Sequence, residues 1–290
     1  MGPSTGPPNV DYRVSITPKP ASLRIFEDDR VAAARQGGRM PEVRSFGRTH
    51  VGRHRKSNED AFFRDDTIQL YVVADGMGGH AAGEVASSEA VDTVYGMVKR
   101  GLAGLGDNKE FLTEERARTA YRIVEGAIQA ATYMVFAIAE HDREKEGMGT
   151  TISAALAIGG ALVVGQVGDS RIYKIRDGCA LQITEDHTLI AWQLKQGIIS
   201  EDEARFSPHR NVITRAVGNR DYVQVDTSIM EIYPGDRFLL CSDGLHGYLK
   251  TEEIPAIAGL GGDAAIDQFI EVANQRGGRD NITAVLVEVF

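Results

Sequence analysis

Short runs of apolar residues predict β-strands along this chain. The runs are 70–74, 151–158, 161–167, 171–175, 237–241 and 282–289. Gly159-Gly160 and Asp177-Gly178 accept a positive φ, so each pair predicts a tight hairpin turn at the end of a run. These turns favour antiparallel pairing of neighbouring strands.

Two long segments, 83–99 and 113–139, predict helices. In the second, Thr113 can cap the helix, while Glu114 and Glu115 suit the positive end of the helix dipole. Its predicted core-facing stripe is Ile123, Ala127, Ala130, Ala131, Met134 and Ile138. Hairpin strands with long helices between them indicate an α+β fold, an antiparallel β-sandwich flanked by helices.

The chain divides into a tail and one domain. Residues 1–43 are rich in Pro, Gly and Ser, which predicts a flexible tail, and 44–290 would form the domain. Within it, 185–218 is a polar, partly helical insertion with a capping box at Ser200 and Glu203. Long ordered insertions are often lids or recognition loops. We interpret His187 as a turn residue of this insertion and Trp192 as part of its packing.

Charge and cysteine content narrow the possible partners and compartment. The net charge of −9 makes nucleic acid an improbable partner. Two distant cysteines provide no disulfide framework, which favours a reducing cytoplasm. The longest uncharged stretch, 150–170 apart from its aspartate, is broken by Gly159-Gly160, so it predicts two strands and no membrane span. No signal peptide opens the sequence.

Candidate chemistry lies in carboxylates placed where apolar strands meet a glycine, serine or asparagine. These residues are Asp75, Asp169, Asp243 and Asp280. A buried carboxylate costs several kcal/mol unless it is paired, hydrogen-bonded or metal-bound. No Lys or Arg adjoins Asp75 or Asp243 in the sequence, which favours a divalent cation. A further acidic segment, Asn58-Glu59-Asp60, is preceded by Arg55, and carboxylates with one arginine indicate metal ions acting on a phosphate.

The donor types indicate Mn²⁺ or Mg²⁺, because hard cations prefer oxygen ligands. The seven histidines show no HxH or HExxH spacing, which argues against zinc. Two hard ions can clamp a phosphate and lower the pKa of a water between them. Other chemistries fit poorly: neither cysteine is followed by arginine at the spacing of a cysteine phosphatase, and no DxDx(T/V) or GxxxxGK(S/T) segment is present.

Six segments occur in a characteristic order. They are GRHRKSNEDAF, VVADGMGGHAAGE, GMGTT, VGDSR, LLCSDGL and GRDNIT. Together they resemble the signature of the metal-dependent protein serine/threonine phosphatases, the protein phosphatase 2C family, in its bacterial form. The resemblance extends from Thr49 to Val289. It implies a four-layer α-β-β-α fold and hydrolysis of phosphoserine and phosphothreonine in proteins.

The resemblance also implies roles for individual residues. Asp75 would bridge two metals, and Arg55 would hold the substrate phosphate. The remaining metal ligands would be Glu59, Asp60 and the carbonyl of Gly76 at one metal, and Asp243 and Asp280 at the other. Asp169 would have a structural role, bonding backbone amides and Arg171.

Two departures from the family pattern affect the chemistry. Met77 occupies the position of a histidine proposed as general acid in some members, so His80 or water would protonate the leaving group. A weaker third metal would use Asp243 and an acid ahead of GMGTT, where this chain has Glu144 and Glu146.

The same residues allow other interpretations. The aspartates beside glycine could form Asx turns or cap helices, and Arg55 could be a surface residue. The whole chain could be an inactive phosphoprotein-binding module, or a regulatory phosphatase acting on an anti-sigma-factor antagonist. The preferred hypothesis is a monomeric cytoplasmic phosphatase that acts on substrates of a serine/threonine kinase.

Overall fold

The computed structural model describes residues 41–79, 82–105, 112–209 and 211–290. Most of the expected tail, 1–40, lies outside the described residues. The first strand already begins at Val43, and Glu42 exchanges backbone hydrogen bonds of 3.1 and 2.8 Å with Phe290. The residues just before the expected domain start are therefore paired with the last residue of the chain.

Two antiparallel sheets form the centre of the fold. One sheet has the order β1-β11-β10-β7-β8, and the other has the order β2-β3-β5-β6-β9, with β4 paired to β3. The strands are β1 Val43–His50, β2 Asp60–Asp65, β3 Leu70–Met77, β4 Gly149–Thr150, β5 Ile152–Ile158, β6 Ala161–Val167, β7 Arg171–Arg176, β8 Cys179–Gln182, β9 Asp226–Glu231, β10 Arg237–Cys241 and β11 Ile282–Val289.

Helices cover the outer face of each sheet. The helices of the described chain are α1 Ala82–Leu102, α2 Glu114–His141, α3 Leu189–Lys195, α4 Glu201–Phe206, α5 Asp243–His246, α6 Ile254–Ala258 and α7 Gly262–Gln275, of which α3 and α4 lie in the insertion 185–218. The helices α1 and α2 pack on the β2-β3-β5-β6 side, and α6 and α7 pack on the sheet that contains β10 and β11. The α+β fold with four layers, α-β-β-α, is confirmed.

Alternation along the central strands explains why they are apolar without interruption. In β3, Leu70, Val72 and Ala74 face the helices, whereas Tyr71 and Val73 face the other sheet. Both faces of such a strand are buried, so the sequence shows a continuous apolar run instead of alternating polar residues.

The predicted turns are confirmed. Gly159 and Gly160 have φ values of 57° and 79°, and they join β5 to β6. Asp177 and Gly178, with φ values of 51° and 74°, join β7 to β8. Positive φ at both central residues is the requirement of a two-residue hairpin whose twist matches its strands.

The predicted stripe on α2 needs correction. Thr113 caps the helix as expected, accepting a hydrogen bond of 3.3 Å from the Arg116 amide. Of the predicted stripe, Ala127 and Ala131 are buried and Ile123 and Ile138 pack against the core, but Met134 is 44% exposed. The buried face also includes Val124, Ile128 and Val135, which were not predicted. The sequence pattern contained two adjacent apolar stripes, and only packing against the sheet selected one.

By length and composition, α2 is also the one helix in the described part of the chain that could cross a membrane. A helix from the core of a soluble protein can meet the same criteria, so this is weak support for a membrane span.

In α2, Val124 and Ile128 pack over β6, where a Cβ on Gly165 would come within 2.7 Å of both side chains.

Replacing Ile128 by alanine should destabilise the protein by about 2–5 kcal/mol, because the substitution leaves a cavity over β6. The matched control is Met134→Ala on the exposed side of the same helix, which should change stability by about 0.5 kcal/mol or less. Urea unfolding monitored by circular dichroism measures both variants. Equal losses would contradict the assignment of the buried face.

Candidate active site

The β2–β3 pair brings two carboxylates face to face. Asp60 is paired directly with Asp75 in the register of the two strands. Like charges in opposed positions destabilise an antiparallel pair. One Asp60 oxygen accepts hydrogen bonds from Ser242 at 2.8 Å and Thr283 at 2.6 Å, while its other oxygen, Oδ1, is buried with no hydrogen-bond partner in the described structure.

Two further carboxylates come from the other sheet, at the edge where β10 ends and β11 begins. Asp243 opens the short helix α5, and Asp280 precedes β11. A Cβ on Gly244 would lie 1.9 Å from the Asn281 carbonyl oxygen, so glycine is needed to bring these two segments together. Asp243 and Asp75 lie close enough to shift each other's pKa, and Oδ1 of Asp243 is also buried without a partner in the described structure.

The loop between β1 and β2 carries Arg55 and Glu59 to this edge. Asn281 holds the loop with three hydrogen bonds: its Nδ2 donates to the carbonyls of Val51 and Ser57, each at 3.0 Å, and its Oδ1 accepts from the Glu59 amide at 2.8 Å. Arg55 forms an ion pair with Asp280, with 2.8 Å between Nη2 and Oδ2. Asn281 lies in the GRDNIT segment, but this scaffolding role was not predicted from the sequence.

Close backbone packing surrounds Gly76. Its amide donates to the Glu59 carbonyl at 3.0 Å, and a Cβ at Gly76 would lie 2.1 Å from the Gly83 carbonyl oxygen. A Cβ on Gly83 would in turn lie 2.9 Å from the Glu59 carboxyl carbon. Two glycines of the DGMGGHAAGE segment are thus required for space beside Glu59.

The backbone of Asp75 is fixed by two threonines. The Asp75 amide donates to Thr151 Oγ1 at 2.9 Å, and the Asp75 carbonyl accepts from Thr150 Oγ1 at 2.9 Å. These threonines, together with Ser242 and Thr283, were not singled out in the sequence. Each lies within or directly beside one of the six segments, which was the only available signal.

The electrostatics show that these carboxylates form one cluster. Burial, followed by repulsion from Asp60, Asp243, Asp169 and Asp280, raises the pKa of Asp75 well above its ordinary value. Burial raises the pKa of Asp60 to about 7, although hydrogen bonds from Thr283 and Ser242 oppose the rise. Burial and then repulsion from Asp280 raise the pKa of Asp243. Among the residues that the structure describes, Arg55 is the cation that forms an ion pair with this carboxylate cluster, through Asp280.

These features fit divalent cations. The cluster has an excess of negative charge, two buried carboxylate oxygens without partners and only oxygen donors, which hard cations prefer. As the side chains stand, no three His, Cys, Asp or Glu residues within the described ranges form a ready-made metal cage. The oxygens of Asp280 are directed to Arg55 and to the Asn281 amide.

Other candidate residues are placed differently from expectation. Asp169 belongs to the cluster, since burial and then repulsion from Asp243 raise its pKa to about 7. Its expected partner Arg171 instead forms a bidentate ion pair with Asp186, at 2.7–3.1 Å. Glu144 and Glu146 are exposed on the turn before β4, and no contact joins them to the cluster among the described residues. A third metal that uses Glu146 and Asp243 therefore stays a prediction without structural support.

The remaining candidates are Met77, His80 and Trp192. Met77 is the last residue of β3 and has no ionisable group. His80 lies outside the described residues. Trp192 lies on α3 and is 51% exposed, so its packing within the insertion stays a prediction.

Fold and site together define a phosphatase that uses metal ions. A family profile for protein phosphatase 2C matches residues 46–288. The serine/threonine phosphatase stp of Listeria welshimeri is 38% identical over 246 residues, which cover 83% of this chain and 94% of that protein.

Solved structures agree with this match. The serine/threonine phosphatase PstP of Mycobacterium tuberculosis has 35% identity and a TM-score of 0.73, covering 85% of this chain and 98% of that one. The catalytic domain of PstP in complex with two manganese ions has 34% identity and a TM-score of 0.69, with the same coverage. The chain belongs to the protein phosphatase 2C family and is a metal-dependent protein serine/threonine phosphatase.

The raised pKa values predict how the metal-free protein responds to pH. Asp60 and Asp169 have folded pKa values of about 7, against an ordinary value of 3.8. At intermediate pH the folded protein therefore holds protons that the unfolded chain has lost, so stability falls as pH rises through about 7. His246, whose pKa burial lowers to about 3, has the opposite effect, but only below its unfolded value of 6.5.

In excess chelator, the melting temperature should therefore fall between about pH 6.5 and pH 8.5. Added Mn²⁺ should reverse the loss, because a bound cation offsets the carboxylate charges. Asp60→Asn should flatten the dependence by removing one titrating group. A chelated protein whose melting temperature rises or stays constant over this range would contradict the clustering of charge. Differential scanning calorimetry provides the measurement.

Proposed function

We propose that the carboxylate cluster holds two Mn²⁺ or Mg²⁺ ions and that the enzyme uses them to hydrolyse phosphoserine and phosphothreonine in proteins. The observation that carries this proposal is the convergence of acidic residues from both sheets around two buried carboxylate oxygens without partners. A module that only binds phosphoproteins would gain nothing from such uncompensated negative charge.

The cluster provides a ligand set for two ions. Asp75 lies opposite Asp60, and burial and the charges of Asp60, Asp243, Asp169 and Asp280 all raise its pKa, so it is suited to contact both ions. The other ligands would be Glu59, Asp60 and the Gly76 carbonyl on one side, and Asp243 and Asp280 on the other. When bound, the two ions supply the positive charge that lowers the pKa of a water and stabilises the oxygens of the phosphate.

Arg55 is placed to exchange one anionic partner for another. Its guanidinium is 48% exposed and pairs with Asp280, itself a proposed metal ligand. A cation bound by Asp280 would weaken that ion pair and release the guanidinium. A bidentate guanidinium matches the geometry of a phosphate oxygen pair. Arg55 would then bind and orient the substrate phosphate.

The leaving group needs a proton from outside this cluster. Met77 cannot donate one, and the cluster aspartates serve as ligands in their ionised form. We therefore propose that a solvent water donates the proton to the leaving serine or threonine oxygen. His80 stays an alternative that the described residues do not address.

The proposed setting is a monomeric cytoplasmic enzyme that acts on kinase substrates, independent of nucleic acid and membranes. Both cysteines are free thiols in the structure. The net charge of −9 supports the proposal that nucleic acid is not a partner. Cell fractionation and analytical ultracentrifugation test this setting, and a membrane-bound or dimeric enzyme would contradict it.

Replacing Asp75 by asparagine should lower kcat by about a thousandfold or more, because the neutral amide cannot hold two dications together. The chelated variant should melt at a higher temperature than the chelated wild type, since the neutral amide avoids the cost of ionising or protonating a buried carboxyl among other carboxylates. Asp92→Asn, an exposed position on α1, is the matched control and should leave both quantities unchanged.

Three measurements decide this prediction: kcat on a phosphothreonine peptide with Mn²⁺ restored, Mn²⁺ stoichiometry by calorimetry, and melting temperature in chelator. Wild-type turnover in excess chelator would contradict the metal dependence. Near-normal turnover of Asp75→Asn with two ions bound would contradict the assignment of Asp75 as the residue that contacts both ions.

Replacing Arg55 by alanine should raise KM for the phosphopeptide by about 10- to 100-fold, because the substitution removes a charge-assisted hydrogen bond to the phosphate. Because Arg55 competes for Asp280, Mn²⁺ affinity should be unchanged or higher. Lys56→Ala, one residue further along the same exposed loop, is the control and should have a small effect. Weaker Mn²⁺ binding with an unchanged KM would assign Arg55 to the metals instead.

A further inference from the structure

The insertion 185–218, called the flap below, has a defined neck. Its two ends pair with each other: the Leu189 amide donates to the Val212 carbonyl at 2.8 Å, and the Thr214 amide donates to the His187 carbonyl at 2.7 Å. Thr188 and Ile213 form a β-bridge between these contacts. The flap thus leaves and rejoins the domain through a short paired segment.

His187, at the start of this neck, is 5% exposed and grips the turn between β6 and β7. Its amide donates to the Gly168 carbonyl at 2.9 Å, and its ring Nδ1 accepts from the Gly168 amide at 3.1 Å. Nε2 lies 3.0 Å from Asp226 Oδ2 and 3.1 Å from Arg215 Nη1. With Nδ1 accepting, a proton on Nε2 has Asp226 as its acceptor, because a guanidinium can only donate. Arg215, at the other end of the neck, donates to the second oxygen of Asp226 at 2.7 Å.

The gripped turn lies against the backbone of the active site. Gly168 has a φ of 98°, and a Cβ there would lie 2.5 Å from Thr151 Cγ2. The buried Gln166 donates to the Gly168 and Ser170 carbonyls at 3.1 and 2.7 Å. The hydroxyl of Ser170 lies 2.7 Å from Thr151 Oγ1, the acceptor of the Asp75 amide.

A second attachment lies at the far end of the flap. Val217 and Thr150 exchange backbone hydrogen bonds of 2.9 and 3.0 Å, and Thr150 is paired with Gly76. Both attachments therefore reach backbone that carries cluster residues. At the first attachment, one of the two hydrogen bonds to Gly168 comes from a side chain, so that contact can be tested without altering the main chain.

We propose that His187 is a positioning residue: its Nδ1 holds the Gly168–Asp169 turn against the flap neck, and it thereby sets the position of Asp169 within the cluster. Its catalytic consequence rests on the proposed function, whereas the positioning itself does not. The contact of Nε2 with Asp226 orients the imidazole ring. The contact of Nδ1 with the Gly168 amide holds the turn that carries Asp169.

Two amide substitutions separate the ring contacts. In His187→Asn, the side-chain oxygen can occupy the position of Nδ1 and accept from Gly168, but the side chain is too short to reach Asp226. In His187→Gln, the longer side chain reaches Asp226 from the position of Nε2 and leaves Gly168 without its acceptor. His187→Ala removes both contacts and also the 3.1 Å approach of Arg215 to Nε2. Asp226→Asn leaves the Gly168 contact in place and weakens the contacts of Asp226 with Nε2 and with Arg215.

Amide hydrogen exchange measures the positioning directly. We expect the Gly168 segment to exchange about 10-fold or more faster in His187→Ala and His187→Gln than in the wild type, the loss of about one hydrogen bond. His187→Asn and Asp226→Asn should stay close to the wild type. With Mn²⁺ present, kcat on the phosphothreonine peptide should follow the same order.

The rank order distinguishes positioning from general destabilisation. Slow hydrogen exchange of the Gly168 segment in His187→Gln together with fast exchange in His187→Asn would overturn the proposal. Equal exchange in all variants would overturn it as well. Exchange in the expected order with unchanged kcat in every variant would overturn its catalytic consequence. A wild-type protein that fails to hydrolyse the peptide with Mn²⁺ would contradict the proposed function alone, because the exchange comparison does not depend on turnover.

Discussion

The structure depends on how it accommodates carboxylates that repel one another. Asp60 and Asp75 are opposed across two neighbouring strands, and Asp243 and Asp280 are added from the other sheet. In a low-dielectric setting such repulsion is strong, so it must be offset by protons, hydrogen bonds or cations. Protons suffice below the raised pKa values. Near neutral pH, bound cations can offset the repulsion while every carboxylate stays ionised. The carboxylate cluster therefore destabilises the metal-free fold and at the same time provides the ligands on which the chemistry depends.

The surrounding residues keep the carboxylates in place when the cations are not there to do so. Ser242 and Thr283 bind one oxygen of Asp60, and Asn281 fixes the loop that presents Arg55 and Glu59. Glycines at 76 and 244 allow backbone segments to approach within distances that any side chain would prevent. These contacts join β2 and β3 of one sheet to the end of β10 and the start of β11 in the other. The metal-binding residues can therefore be positioned only after the two sheets have packed together. The flap neck is joined to the same backbone, which links a surface insertion to the geometry of the centre.

Much of the fold followed from local pattern. The strands 161–167, 237–241 and 282–289 were predicted with their observed bounds, and the two hairpin turns needed only residues that tolerate positive φ. Strands β1, β2 and β9 were not predicted, because their alternation is interrupted by polar and charged residues that face solvent or the active site. Helix α7 was also missed, although Ala265, Phe269 and Ala273 recur at helical spacing. Its apolar stripe is short, and without the sheet it covers there was little to separate it from a surface turn.

The sequence by itself determined the chemical class of the site, because oxygen-donor residue types and the order of six short segments are properties of the chain alone. It could not determine which acids meet. Asp169, expected to pair with Arg171, lies in the carboxylate cluster, whereas Glu146 is exposed on a turn. It could not show that Arg55 pairs with Asp280, 225 residues away. These contacts are set by strand register and by the closure of two sheets, which bring together residues whose separation along the chain carries no information about their distance in space.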